Sequence, residues 1–203
     1  MATTVLPREA VLRSTDATWT SADWEQLPDD GHRYEIIGGV LYMSTAPSPA
    51  HQLIVLDIVA VLREQFAVPG HGLVLTAPVG LFMPGCDPVQ PDVLALRAAD
   101  RGMIGPRRIE GVPALVVEVL APSNADYDLV VKRAAYAHAG VPEYWIARPT
   151  ERDVLVHSEP EPATGQYLRV ERVPPDGTLA SPTLPVRSAV AAFFASVPRD
   201  LTP

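Results

Sequence analysis

The sequence predicts an α/β fold, and three observations carry that prediction. First, an apolar run at 114–120, a helix-forming stretch at 126–139 and a second strand-like run at 143–147 follow in the order strand, helix, strand, the signature of a parallel βαβ unit. Second, two strand-like runs, 33–37 and 40–43, flank Gly38 and Gly39, which is a hairpin signal. Third, 153–157 and 166–172 read as antiparallel strands joined by a polar loop. A chain of 203 residues suits one domain with a tail, so we expect a loosely ordered N-terminal arm over 1–18 and a single domain over 19–203.

The remaining elements follow in order. Residues 20–28 predict a short helix capped by Thr20 or Ser21 and closed by Pro28. After a loop at 46–50, residues 51–66 carry the broad apolar face of an amphipathic helix, with His51 in its first turn. Strands are expected at 73–75, 79–83 and 90–96, with a turn at 84–88 and a polar linker over 97–111. A turn cluster at 121–124 separates the Glu118 strand from its helix. A last edge strand is expected at Pro185-Val186 and a terminal helix over 189–195.

Composition excludes several classes. A single cysteine, Cys86, rules out an internal disulfide framework and a cysteine-based zinc site. No window is long and apolar enough to span a bilayer, and no secretory signal opens the chain, so the expectation is a cytoplasmic protein without a membrane partner. The formal net charge of −8 speaks against general nucleic-acid coating, although a locally basic, metal-using site is compatible with it. Phosphate-cradling loops, dinucleotide glycine fingerprints, His-Glu-x-x-His and nucleophile elbows are all missing from the sequence.

What stands out is acid inside apolar strands. Glu118 sits in a run with apolar residues on both faces, where an unpaired carboxylate is costly. Asp92 lies near the start of the strand at 90–96, after a proline. If these strands are neighbours the two carboxylates converge, and a hard divalent cation is the natural partner of such a pair, with a phosphate ester as its substrate. On the helix, Asp128, Lys132 and Tyr136 recur every four residues, so Lys132 can bring an ammonium to the same place. Each residue has a plainer reading. Asp92 is then a turn residue, Glu118 a member of a structural ion pair, Lys132 an exposed partner of Asp128, Glu35 a solvent-facing strand residue and His51 a local hydrogen-bonding group.

The segments Tyr34-Glu-Ile-Ile-Gly-Gly39, Pro47-Ser-Pro-Ala-His51, Gln90-Pro-Asp92, Val117-Glu-Val-Leu-Ala-Pro-Ser123, Lys132-Arg-Ala-Ala-Tyr136 and Gly140-Val-Pro-Glu-Tyr-Trp145 together resemble the Uma-two family, within the PD-(D/E)-x-K, restriction-endonuclease-like superfamily. The resemblance covers about residues 20 to 195. It implies a mixed central β-sheet flanked by helices and a Mg²⁺-dependent endonuclease acting on DNA, with Mn²⁺ as a substitute ion. It also implies Asp92 and Glu118 as metal ligands, Lys132 as the lysine displaced from its usual position (here Leu120) to the helix, and Glu35 as an accessory acid. His51 matches a family histidine. The chain departs from many relatives at Gly38 and Val40, where they carry acidic residues. A module that keeps the fold without turnover, binding a protein or nucleic acid, is the alternative. A homodimer is expected only from the general frequency of two-fold pairs.

Overall fold

The computed structural model describes residues 11–14, 18–44, 46–121, 126–198 and 201. In chain order the strands are β1 (Val11–Ser14), β2 (Arg33–Ile37), β3 (Val40–Ser44), β4 (Gly72–Thr76), β5 (Leu81–Met83), β6 (Cys86–Val89), β7 (Val93–Arg97), β8 (Ile109–Glu110), β9 (Leu115–Val119), β10 (Glu143–Arg148), β11 (Asp153–Glu161), β12 (Gln166–Val173), β13 (Thr178–Ala180) and β14 (Arg187–Ala189). The α-helices are α1 (Ser21–Trp24), α2 (Pro49–Leu62) and α3 (Arg133–Ala139). A π-helical turn, Arg63–Ala67, extends α2, and a second, Tyr127–Lys132, leads into α3.

The βαβ unit forms as the sequence predicts. β9 and β10 pair in parallel, with Val117 against Trp145, because the intervening helix carries the chain back along the sheet. Gly140 ends α3 at φ +81°, a left-handed conformation that costs glycine no Cβ clash, and the turn closes with Val141 N–H donating to the Tyr136 carbonyl. Around this unit the other strands add antiparallel, giving a mixed central sheet in the order β12-β11-β10-β9-β7-β4. The Gly38-Gly39 hairpin forms as well, both glycines having positive φ. It belongs to a second six-stranded sheet, β1-β3-β2-β6-β5-β8, which the sequence reading did not separate from the first.

Two apolar clusters divide the core according to strand alternation. Val93, Ala95, Val117 and Val119 face α2 and the 3-10 helix Val190–Phe194. Leu94, Leu96 and Val116 face the other way, toward Tyr136, Tyr144 and the inner residues Ile37, Leu81, Cys86 and Val89 of the second sheet. Asp92 and Glu118 have the parity of this second face, so the central sheet delivers both carboxylates into the space between the sheets.

Three expectations are corrected. The turn at 84–88 is shorter than predicted: Gly85 makes it at φ +78°, and Cys86 already pairs with Met83 and Ile37 in β6. The last edge strand begins at Arg187 rather than at Pro185-Val186, because it pairs with β13 from Ala180↔Arg187 onward. Within the expected loose arm, residues 11–14 form β1, drawn onto the free edge of β3 in the register Leu12↔Met43. The turn at 121–124 lies largely outside the described residues, as do residues 1–10. No helix of the described residues is long and apolar enough to cross a membrane.

Candidate functional site

Strand register brings the two carboxylates together. β7 and β9 run antiparallel with Val93 opposite Val117, so one residue further Asp92 stands opposite Glu118 on the same face. The Asp92 N–H donates to Glu118 Oε2 at 3.3 Å, and the Val119 N–H donates to Asp92 Oδ2 at 2.9 Å. Glu35 arrives from the second sheet, where its Oε1 accepts the Gln90 backbone N–H at 2.7 Å. Thus Glu35 is not the solvent-facing residue of the plainer reading: it is only 2 % exposed.

Lys132 enters from the helix. Its Nζ lies 2.9 Å from Glu118 Oε1, 3.2 Å from Glu35 Oε1 and 3.8 Å from Asp128 Oδ1. Spacing anticipated Asp128, Lys132 and Tyr136, and the Tyr136 hydroxyl does donate to Glu118 Oε1 at 2.8 Å. Spacing did not anticipate Tyr127. Its hydroxyl donates to Glu35 Oε2 at 3.0 Å, and its ring lies 5.1 Å from the Lys132 ammonium. In a regular α-helix residues 127 and 132 face apart. The π turn closes i→i+5 and sets them on one side.

Asp92 has its own partners. Arg33, two residues before Glu35 and on the same side of β2, donates from Nη1 to Oδ1 at 2.9 Å. His51 Nε2 lies 3.0 Å from Oδ2, where a carboxylate acceptor requires it to carry the proton. Ser48 caps α2 by accepting the His51 N–H and so fixes the histidine in the first turn. The other ring nitrogen, Nδ1, is buried without a hydrogen-bond partner. Among the sequence candidates, then, Asp92, Glu118, Lys132, Glu35 and His51 all come together. Arg33 and Tyr127 were missed, Arg33 because an arginine at a strand start carries no signal of its own.

Charge in this cluster is unevenly balanced. Four carboxylates, Glu35, Asp92, Glu118 and Asp128, face two permanent cations, Lys132 and Arg33. Burial pushes the Glu118 carboxyl well above the usual carboxylate range, and Asp92 and Asp128 push it further against the pull of Lys132. Burial likewise raises Asp128 to about 7. Burial opposes the charge of Asp92 too, but His51 and Arg33 outweigh it and hold this acid below its ordinary value. For Lys132 burial is outweighed by Glu118, Glu35 and Asp128, so its ammonium is held more firmly than in water.

Carboxylate oxygen donors suit a hard divalent cation chemically. The oxygens are nevertheless engaged: those of Asp92 accept from Arg33 and His51, and Oε1 of Glu118 accepts from Lys132, leaving Glu118 Oε2 with the weaker contact to Asp92 N–H. No group of three or more His, Cys, Asp or Glu side chains among the described residues is already arranged as a metal cage.

Comparison with known proteins agrees with this architecture. The family model Uma2, described as "Putative restriction endonuclease", matches residues 16–192. A crystal structure of "a putative nuclease belonging to DUF820" from Anabaena variabilis superposes with a TM-score of 0.73. The match covers 87 % of this chain and 98 % of that one at 16 % identity, a likeness of fold. No curated protein matches the sequence.

Proposed function

Because this chain belongs to the Uma2 family, we propose that it is a divalent-metal-dependent endonuclease that hydrolyses phosphodiester bonds of DNA at the Asp92–Glu118–Lys132 cluster. One observation carries the reading: two acids from neighbouring strands and an ammonium from the crossover helix meet in one buried cluster, with Glu35 and Asp128 beside the same ammonium. A structural ion pair needs one acid, whereas this ammonium is shared among three.

Asp92 and Glu118 would hold the metal, Mg²⁺ by donor type, with Mn²⁺ as a substitute. When bound, such an ion polarises a phosphoryl oxygen and makes its water more acidic. The chain's own residues then have separate tasks. Val119 N–H and His51 fix Asp92 Oδ2, and Tyr136 fixes Glu118 Oε1, so neither carboxylate swings freely. Lys132 is a donor rather than a base, since three acids hold its proton in place. It orients water or steadies charge building on the phosphate. Glu35 acts on Lys132, steering the ammonium with Tyr127 bracing its second oxygen.

A metal-free binding module is the second reading, favoured by the engagement of Asp92 with Arg33 and His51. Mn²⁺ calorimetry and plasmid cleavage separate the two. The nuclease reading expects metal binding by the wild type, and at least about a hundredfold loss of cleavage in Asp92→Ala and Glu118→Ala with the fold retained. A wild type that binds no metal, or variants that cleave at the wild-type rate, would sink it.

A further inference from the structure

The cluster is closed: Asp92 is 4 % exposed, Glu118 2 %, Lys132 3 % and Glu35 2 %. Arg33 is different. Its side chain is 20 % exposed while Nη1 reaches Asp92 Oδ1 at 2.9 Å, so of the charged side chains in the cluster Arg33 is the most accessible. Lys132 is shared among three carboxylates. Arg33 makes its ion pair with Asp92 alone and also donates to the Gln90 carbonyl at 3.4 Å. To an approaching polyanionic strand, the Arg33 side chain is therefore more accessible than any of the carboxylates.

We propose that Arg33 is a built-in counter-ion that competes with the divalent metal for Asp92 and, once displaced, clamps the phosphodiester to be cleaved. The inference rests on the metal-dependent nuclease reading. Its physical basis is that two cations on one carboxylate oxygen repel, so metal and guanidinium exclude each other at Oδ1. A released guanidinium needs a new acceptor nearby, and its planar fork matches the paired oxygens of a phosphate. As the cluster's most accessible cation, it has that acceptor in an incoming substrate. Exchange of this kind also gives the closed cluster a way to open only when both metal and phosphate are present.

The two halves of the proposal predict effects of opposite sign in one variant. Arg33→Gln, in the full chain, should bind Mn²⁺ roughly tenfold more tightly by calorimetry, because a competing charge is gone. At saturating Mn²⁺ the same variant should cleave plasmid DNA about a hundredfold to a thousandfold more slowly, the usual cost of losing one donor to the transition-state charge. Arg33→Lys keeps the charge without the fork and should fall between wild type and Arg33→Gln on both measures. Equal or weaker Mn²⁺ binding in Arg33→Gln would make the arginine a brace for Asp92 and overturn the competition. Wild-type cleavage in Arg33→Gln would overturn the clamp, as would unchanged cleavage in Arg33→Lys should the glutamine variant not fold. If the wild type itself neither binds Mn²⁺ nor cleaves, the nuclease reading fails and takes this inference with it; if only the Arg33 variants depart from expectation, the nuclease reading stands.

Discussion

Two buried acidic centres sit on the same central sheet, on strands β11 and β9 to either side of β10, and they solve the burial of charge in opposite ways. At Asp153 one carboxylate faces two arginines: Arg148 forks onto both oxygens at 2.7 and 2.6 Å, and Arg172 adds a third contact to Oδ2. Burial opposes the Asp153 charge, but the hydrogen bonds from Arg148 and Arg172 prevail and lower its pKa. Its partners reach solvent, Arg148 with 20 % and Arg172 with 60 % of the side chain exposed. At Glu118 the stoichiometry is inverted, with acids outnumbering permanent cations and the Glu118 and Asp128 carboxyls pushed upward. A pair that only holds strands together ends with its charge satisfied. A centre whose acids outnumber its permanent cations drives some of those acids toward their neutral form instead.

That contrast can be broken by experiment, and the largest effect is expected at Lys132. Lys132→Met removes the shared cation from Glu118, Glu35 and Asp128. It should lower unfolding free energy by about 3–5 kcal/mol at neutral pH, measured by urea titration. A loss of that size that persists undiminished in acid would contradict the charge argument, since protonated acids no longer need the ammonium. Asp153→Ala comes next, at about 2 kcal/mol, because the arginines it abandons can hydrate. It should leave plasmid cleavage per folded molecule unchanged, and a loss of cleavage would erase the distinction between the two centres.

The smallest effect is a difference of sign with pH. Asp128 prefers its neutral form in the folded chain, so its contribution is fully present below the ordinary 3.8 and is lost as pH rises through about 7. Asp128→Asn should therefore match the wild type near pH 3.5 and exceed it in stability by pH 8. Asp153 prefers its charged form, so its contribution is present above 3.8 and lost as pH falls through its lowered value. Asp153→Asn should be weaker than wild type at pH 7 and converge with it in acid. Thermal melts of both variants across this range would expose any common sense of titration.

Much of this was legible in the sequence, and the gaps have physical causes. The βαβ unit showed because strand, helix and strand each fill a window with one period. Glu118 showed because a carboxylate in a doubly apolar strand conflicts with its surroundings. The facing of Asp92 and Glu118 needed a strand register, which period alone does not fix; the antiparallel pairing Val93↔Val117 does. The second sheet stayed hidden because its strands are short, β5 having three residues and β8 two, too few to establish alternation. Cys86 was read as part of a turn because two prolines bracket it, yet it lies fully buried in a ladder. Tyr127 was invisible for a different reason: a π turn shifts the phase of a helix without any residue that announces it.

That phase shift has a consequence for how the chain tolerates change. α3 is locked to the core through Tyr136, Ala137 and Ala139, while the preceding turn must deliver Tyr127 and Lys132 to Glu35. One surplus residue in the winding reconciles the two demands. Deleting Val130, which is 54 % exposed, would be absorbed by regular winding, with Tyr127 then four residues before Lys132 and still on its side; inserting a further residue there would instead swing everything before it by about 100°. Tyr127 would leave its acid while the hydrophobic interior stayed intact. The helix behaves as a spliced shaft, in which the length of the splice, more than the identity of its outward-facing residues, keeps the two ends in phase.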